Sequence, residues 1–362
     1  MSSPDQASLL ASLRSAGHPL LELSAPGQGA LLVLPYGGRV IGLFADGQGN
    51  NFLWVNPALA RPDTAQAILA ADAWVHTGGD RTWLSPENEI HVGDLADPWA
   101  TYAVPAAVDP GHYTVVMRGE SIWMQNRARV KFHRQNTDCA VEIEKSVRLS
   151  PNPLRLEAGF QDMTEVAFAG YELVTSLRLT DAPTASPRLS LWNIVVVPAS
   201  GWVIVATWGR ALVRDYFEPT GPERLVITKH GVRFRLDGQE QHKIAVRAAD
   251  IQGRAGYLRA LDPLRSTLLV RNFLVNSSGD YVDTPWQAPD ELGYAFQSYN
   301  DGGQLGAFGE LEYHTPAIGG SSGLHRHSDV SQLWAFSGLL AQIHRVAERL
   351  LGAESMPPDP LK

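Results

Sequence analysis

The sequence predicts an all-β protein, specifically a large antiparallel β-supersandwich with a few peripheral helices. Short β-like runs recur along the 362 residues, separated by turn signals such as Asp46-Gly47 and Asp237-Gly238. Few helical segments lie between these runs, whereas a parallel sheet needs a crossover helix between its strands. Ten tryptophans also suit the wide inner faces of stacked sheets. We therefore expect two antiparallel sheets packed face to face.

The predicted strands extend over most of the chain. They are Ala30–Leu34, Arg39–Phe44, Tyr113–Met117, Ser121–His133, Ala140–Leu149, Tyr171–Leu179, Leu189–Val197, Trp202–Thr207, Leu225–Phe234, Lys243–Val246, Ser266–Val275, Tyr294–Tyr299 and Leu305–His314. Glycines and prolines do not collect in one linker, so we expect a single β-sandwich domain over residues 1–362.

Three segments predict helices. Residues 5–16 place three leucines on one side and are followed by Gly17. Residues 58–71 are short and alanine-rich. Residues 331–351 repeat apolar side chains at three- and four-residue steps before Gly352, which predicts a C-terminal helix packed on the outside of a sheet. The alternative for this helix is a partner-binding role.

Composition and charge exclude several classes of protein. With 44% apolar and 19% charged residues, the chain has too much hydrophobicity for disorder. A net charge of -8 argues against nucleic-acid binding, and no apolar window of bilayer length occurs. Cys139 is the only cysteine, and the first residues lack a signal-peptide pattern. We expect a cytoplasmic protein without nucleic-acid or membrane partners; the oligomeric state stays open.

One short cluster has the composition of a metal site. His325, His327 and Asp329 alternate, and two histidines with a carboxylate can hold a metal ion. Ser328 or Asp329 serves equally well as the N-cap of the helix predicted to follow. Nucleotide-binding, serine-hydrolase and zinc-protease motifs are also missing from the sequence. We therefore expect no metal and no cofactor.

An early glycine-rich segment carries side chains suited to a sugar. Between Gly78 and Glu87, Arg81 offers a planar fork of donors and Trp83 offers a face for stacking on a pyranose. Glu87 can accept hydroxyl protons. The alternative is a tight turn in which Arg81 and Glu87 form an ion pair.

A late segment carries a row of titratable groups. On a strand, Glu310, Glu312 and His314 share one face, because side chains alternate. Two carboxylates and an imidazole in a row shift at least one pKa, which suits proton transfer. The alternative is a solvated outer face. Just before this strand, Trp286 and Tyr299 add groups that match sugar hydroxyls, although the turn after Tyr299 also fits a plain polar hairpin.

The segments Gly37–Phe44 and Asn50–Pro57 resemble the opening of galactose mutarotase-like proteins. The Leu311-Glu312 step with Pro316 nearby resembles the strand that carries the catalytic base of aldose 1-epimerases, and Arg81 stands where that family has a substrate-binding arginine. The resemblance extends from about Gly29 to Pro316 and is nearest to a bacterial branch outside the characterised epimerases. It implies a β-supersandwich with a sugar cleft on one sheet.

The resemblance also implies roles for particular residues. Glu312 matches the base that takes the anomeric hydroxyl proton. The family strand with an asparagine-histidine pair compares with Ser190–Ile194, where Trp192 and Asn193 are then expected to bind substrate. No histidine stands there, and His314, His133 or His91 can take the place of the acid without a pattern that selects one; His314 is the candidate named beside Glu312.

Three functions follow from these observations. The first is acid/base chemistry at the anomeric carbon of a small sugar or oligosaccharide, as in an isomerase of the aldose 1-epimerase type. The second is a glycoside hydrolase or lyase on the same scaffold, with Glu310 and Glu312 roughly 6.5–7 Å apart along the strand. The third is a non-catalytic sugar-binding protein in which tryptophans stack on the sugar.

Overall fold

Two large antiparallel sheets form most of the structure. The structure is a computed structural model, and it describes residues 4–47, 49–160, 163, 165–181, 187–303 and 306–352. The strands are β1 (Leu21–Ala25), β2 (Gly29–Leu34), β3 (Arg39–Phe44), β4 (Asp80–Ser85), β5 (Thr114–Arg118), β6 (Ser121–Phe132), β7 (Thr137–Leu149), β8 (Ala167–Leu179), β9 (Ser190–Pro198), β10 (Gly201–Thr207), β11 (Val213–Asp215), β12 (Leu225–Ile227), β13 (Gly231–Leu236), β14 (His242–Val246), β15 (Ile251–Ala260), β16 (Arg265–Phe273), β17 (Phe296–Asn300), β18 (Phe308–His314) and β19 (Arg326–Leu339).

Helices are few and short. They are α1 (Gln6–Ser15), α2 (Pro62–Leu69), α3 (Glu87–Ile90), α4 (Pro98–Thr101) and α5 (Leu340–Leu351), with 3-10 turns at Pro57–Ala60 and Gly320–Ser322. No helix among the described residues has both the length and the apolar character needed to cross a bilayer.

The order of strands confirms the predicted fold class. One sheet runs β1-β2-β3-β4-β9-β18-β17-β14-β11, and the other runs β12-β13-β10-β15-β16-β19-β8-β7-β6-β5. Neighbouring strands are antiparallel in both sheets. The predicted run Leu225–Phe234 divides into β12 and β13, and the predicted start of β18 at Leu305 lies outside the described residues.

The main core lies between the two sheets. Leu311 and Tyr313 of β18 are buried there together with Leu333 and Ala335 of β19. Because side chains alternate along a strand, the even-numbered residues of β18 face away from this core. The outer face of that sheet is partly covered by α1, whose Leu9 belongs to the same buried cluster as Leu32 of β2 and Ile41 of β3. The rest of this outer face holds the candidate site.

The predicted helix over 331–351 is wrong in its first half. Residues 331–339 belong to β19, and the helix begins at Leu340. Trp334 and Phe336 pack under α5, while Leu333 faces the opposite side of the sheet. Because both faces of β19 are covered, its apolar residues follow one another without alternation and imitate helical spacing.

The segment around His327 is also a strand rather than a helix start. The carboxylate of Asp329 therefore caps no helix; it accepts a hydrogen bond from the Tyr313 hydroxyl at 2.8 Å. Tyr313 lies on β18, so this contact links the two sheets.

Candidate functional site

The candidate site lies on the outer face of the first sheet, across the adjacent strands β4, β9, β18, β17 and β14. Strand register places Glu312 opposite Ile194, which in turn lies opposite Arg81. It also places Glu310 opposite Tyr299. Residues distant in sequence thus form one continuous floor, and above it lies a cavity of about 530 Å³.

Aromatic and charged side chains share the lining of this cavity. The aromatic ones are Trp74, Trp83, Trp99, Tyr102, Trp192, Phe217, Trp286, Tyr299 and Phe308. The polar and charged ones are His76, Arg81, Glu87, Gln241, Lys243, Asp301, Glu310 and Glu312. Apolar pockets with a few convergent polar groups are typical of small-molecule sites.

A first cluster on the floor centres on Glu310. Arg81 Nη2 donates to Glu310 Oε1 at 2.8 Å, and His76 Nε2 lies 3.0 Å from the same oxygen. The Gly78 amide donates to His76 Nδ1 at 3.1 Å, which assigns the ring proton to Nε2. Although burial opposes ionisation, Arg81 and then His76 lower the pKa of Glu310 to about 2. Burial and Arg81 lower the pKa of His76, so its ring is neutral at pH 7.

A second cluster centres on the ammonium of Lys243. Its Nζ lies 3.2 Å from Glu312 Oε2 and 3.6 Å from Glu87 Oε2. It also lies 4.6 Å from the ring centroid of Trp192, whose Nε1 donates to Glu312 Oε2 at 2.8 Å. Although burial opposes the charge, Glu312 and Glu87 raise the pKa of Lys243 above its ordinary value. Lys243 therefore stays protonated between two carboxyl groups.

Both carboxyl groups beside Lys243 have pKa values above those of ordinary glutamates. Burial raises the pKa of Glu312 to about 7, against the opposing effect of Lys243 and with added repulsion from Glu310 and Glu87. Burial also raises the pKa of Glu87. Oε1 of Glu312 is buried and has no hydrogen-bond partner among the described residues. A buried acceptor without a partner is costly, so a ligand donor at this oxygen would stabilise the site.

A buried ion pair holds the aromatic wall in place. Asp109 Oδ2 accepts from Trp74 Nε1 at 3.1 Å and from Trp83 Nε1 at 2.9 Å. Its other oxygen is bound by Arg39, which is also buried. Trp83 in turn lies under Arg81, with 4.3 Å from the guanidinium carbon to the ring centroid. The Asp109 carboxylate therefore orients the indoles of Trp74 and Trp83 in the cavity wall. Trp83 in turn supports the Arg81 guanidinium on the floor.

Most of the residues proposed from the sequence come together at this cavity. Those that line it are Arg81, Trp83, Glu87, Trp192, Trp286, Tyr299, Glu310 and Glu312. The alternative of a solvated strand face is wrong for Glu310 and Glu312, which are buried. Arg81 pairs with Glu310 rather than with Glu87.

Two of the proposed residues do not reach the cavity. His314 shares the strand face of Glu312, but its Nδ1 lies 2.7 Å from Ser85 Oγ and its ring stacks on Trp192. Burial lowers the pKa of His314 to about 4. Asn193 points to the other side of β9, where it accepts a hydrogen bond from Thr82 at 2.8 Å, because neighbouring side chains on a strand face opposite sides.

Sequence reasoning missed several lining residues. Lys243 was assigned to a predicted strand but not to the site, although a lysine between apolar strand residues is an unusual signal. His76 lies in an irregular segment before β4, where no periodicity marks it. Trp99 and Phe217 lie on connections between strands, and only their aromatic character could have indicated a sugar site.

Within the described ranges, no group of three or more histidine, cysteine, aspartate or glutamate side chains has the arrangement of a metal site.

Replacing Glu312 tests its pKa through stability. Between its ordinary value of 4.5 and about 7, the folded protein holds a proton that the unfolded chain has released. The contribution of Glu312 to the free energy of unfolding therefore falls as pH rises through this window. We expect Glu312→Gln to flatten that decline, measured by urea unfolding from pH 4.5 to pH 8, whereas Glu120→Gln at an exposed turn should leave it unchanged. Parallel curves for Glu312→Gln and the wild type would contradict the raised pKa.

Comparisons with known proteins come from structure and from sequence. An aldose 1-epimerase candidate from Escherichia coli K12 superposes with a TM-score of 0.49 at 12% identity, over 90% of this chain and 100% of that one. The GalM/aldose epimerase homologue from C. elegans superposes with a TM-score of 0.39 at 10% identity, over 89% of this chain and 99% of that one. Galactose 1-epimerase from Lactobacillus acidophilus NCFM superposes with a TM-score of 0.38 at 8% identity, over 88% of this chain and 94% of that one.

The sequence comparisons give a family without an assigned activity. The search of curated proteins finds no match to this chain. The model of the Family of unknown function (DUF6786) matches residues 8–356, which is nearly the whole sequence. The chain therefore belongs to the DUF6786 family.

Proposed function

We propose that this protein binds a sugar in the cavity above this floor and transfers protons at the anomeric carbon of that sugar. This is the chemistry of an aldose 1-epimerase. The observation that carries the proposal is an aromatic-walled cavity above two carboxyl groups, Glu312 and Glu87, that share one ammonium. Aromatic faces stack on the C–H face of a pyranose, and carboxylates accept hydrogen bonds from its hydroxyls.

Ring opening of an aldose needs one proton removed and one proton delivered. The base takes the proton of the anomeric hydroxyl, and the acid gives a proton to the ring oxygen as its bond to the anomeric carbon breaks. A base works best when its pKa is near the working pH, which is the property of Glu312 at about 7. Glu87, whose pKa burial also raises, replaces His314 as the proposed acid because it lines the cavity.

The test follows the optical rotation of freshly dissolved α-glucose and α-galactose with and without the protein, beside calorimetric titration of the same sugars. Faster relaxation to the equilibrium rotation supports the proposal, and its rate should rise with pH through about 7 as Glu312 ionises. Sugar binding without faster relaxation of the optical rotation would contradict the catalytic part of the proposal and would identify a non-catalytic sugar-binding protein. Absence of both binding and acceleration would contradict the proposal.

The difference in pKa between Glu310 and Glu312 favours glycoside hydrolysis as a second candidate function. One carboxyl has a pKa of about 2 and the other of about 7, the division of roles used for glycoside hydrolysis. Their spacing of roughly 6.5–7 Å along the strand falls at the short end of the inverting range. Release of nitrophenol from nitrophenyl glycosides, lost in Glu310→Gln, would favour hydrolysis over anomer exchange.

A further inference from the structure

Three aromatic side chains meet at the mouth of the cavity, and we name them the rim triad: Trp99, Phe217 and Trp286. The Trp99 ring lies 4.7 Å from Trp286 and 5.3 Å from Phe217, centroid to centroid, and Phe217 lies 5.8 Å from Trp286. All three line the cavity. Trp99, on the short helix α4, is 57% exposed although it touches two other rings. Phe217 is half-buried and Trp286 is buried, so Trp99 is the exposed member of the cluster. An exposed large aromatic ring beside a cavity is typical of a binding surface.

The rim triad contains a buried polar atom without a partner as well as apolar ring faces. Trp286 is 7% exposed, and its Nε1 has no hydrogen-bond partner among the described residues. A buried indole N–H normally finds an acceptor. A ligand oxygen at the rim would supply that acceptor.

The rim triad is continuous with the floor but distinct from it. The Tyr102 ring lies 6.1 Å from Trp286, and Tyr102 lines the same cavity as Glu87. The volume of about 530 Å³ falls within the range of drug-sized ligands, which exceed one pyranose. One ring held over Glu312 and Trp192 would not fill a cavity of this volume.

We infer that the rim triad is a second sugar subsite, so that the ligand is a reducing disaccharide or a longer oligosaccharide. This inference rests on the proposed function. Chemistry at the anomeric carbon needs a free anomeric hydroxyl on the floor, so the reducing ring occupies the floor and the next ring stacks at the rim. Trp286 Nε1 donates to an oxygen of that second ring.

The experiment is calorimetric titration of glucose and galactose against maltose, cellobiose and lactose. At least one disaccharide should bind about tenfold more tightly than its reducing-end monosaccharide, since aromatic stacking contributes up to about 1.5 kcal/mol. Trp99→Ala should remove most of this gain, so that the disaccharide loses much more affinity than the monosaccharide. Trp286→Phe, which keeps an aromatic ring and removes the donor, should also weaken the disaccharide more than the monosaccharide. Trp208→Ala is the matched control, because Trp208 is 67% exposed and does not line the cavity.

The outcomes separate this inference from the proposed function. Monosaccharide binding with no gain for any disaccharide would overturn the subsite and leave the proposed function standing. An equal loss for both sugar sizes in Trp99→Ala would also overturn it. No binding of any sugar would overturn the inference together with the sugar-binding function.

Discussion

Glu312→Gln is expected to slow anomer exchange by roughly 10²–10⁴-fold, the contribution typical of a positioned general base. Glutamine has the same shape, and its oxygen can still accept from Trp192 and Lys243, which bind Glu312 at 2.8 and 3.2 Å. It cannot take the proton of the anomeric hydroxyl. Sugar affinity should therefore change much less than rate. Polarimetry gives the rate, and calorimetry gives the affinity.

The control for this variant is Glu142→Gln. Glu142 is also a buried glutamate paired with cations, Arg127 and Arg178, but it lies on β7 of the other sheet. Its replacement should leave anomer exchange unchanged. Equal exchange rates for Glu312→Gln and the wild type would remove Glu312 as the base, whatever the affinity.

Asp109→Ala should lower the free energy of unfolding by about 3–5 kcal/mol, the usual cost of leaving a buried charge without its partner. The Arg39 guanidinium is buried and loses the carboxylate that binds it. Trp74 and Trp83 lose the acceptor of their indole N–H groups at the same time. Urea unfolding measures the loss.

A double variant separates the ion pair from the role of Asp109 in the cavity wall. Arg39→Met combined with Asp109→Leu removes both charges, and apolar replacement of a buried pair is often neutral or stabilising. We expect this variant to regain much of the stability lost in Asp109→Ala. The indole N–H signals of Trp74 and Trp83 should nevertheless shift in NMR spectra, and sugar affinity should fall. A double variant as unstable as Asp109→Ala would contradict this account of the pair.

The fold class could be predicted because it depends on local patterns. Alternation in Phe308–His314 predicted which side chains share a face, since a strand has a period of two. This period is absent from β19, where both faces are covered and residues such as Trp334 and Phe336 do not alternate with polar ones, so that their spacing imitates a helix. Strand β4 is missing from the predicted strands because its residues, Asp80–Ser85, do not alternate between apolar and polar side chains.

The candidate site was only partly readable from the sequence. Arg81 and Glu312 could be proposed from their chemical types, but their alignment across β9 depends on strand order, which one sequence does not contain. Asn193 shows that the prediction of a site residue depends on exact strand position, because a shift of one position along a strand moves a side chain to the other face of the sheet. Lys243 and His76 reach the floor only through long-range pairing and an irregular segment.

The position of β18 between β9 and β17 has a consequence for biosynthesis. β9 ends at Pro198, but the strand that completes its hydrogen bonding ends only at His314. A ribosome adds about 5–20 residues per second, so β9 emerges seconds before its neighbour exists. During that interval its edge can pair with another nascent chain.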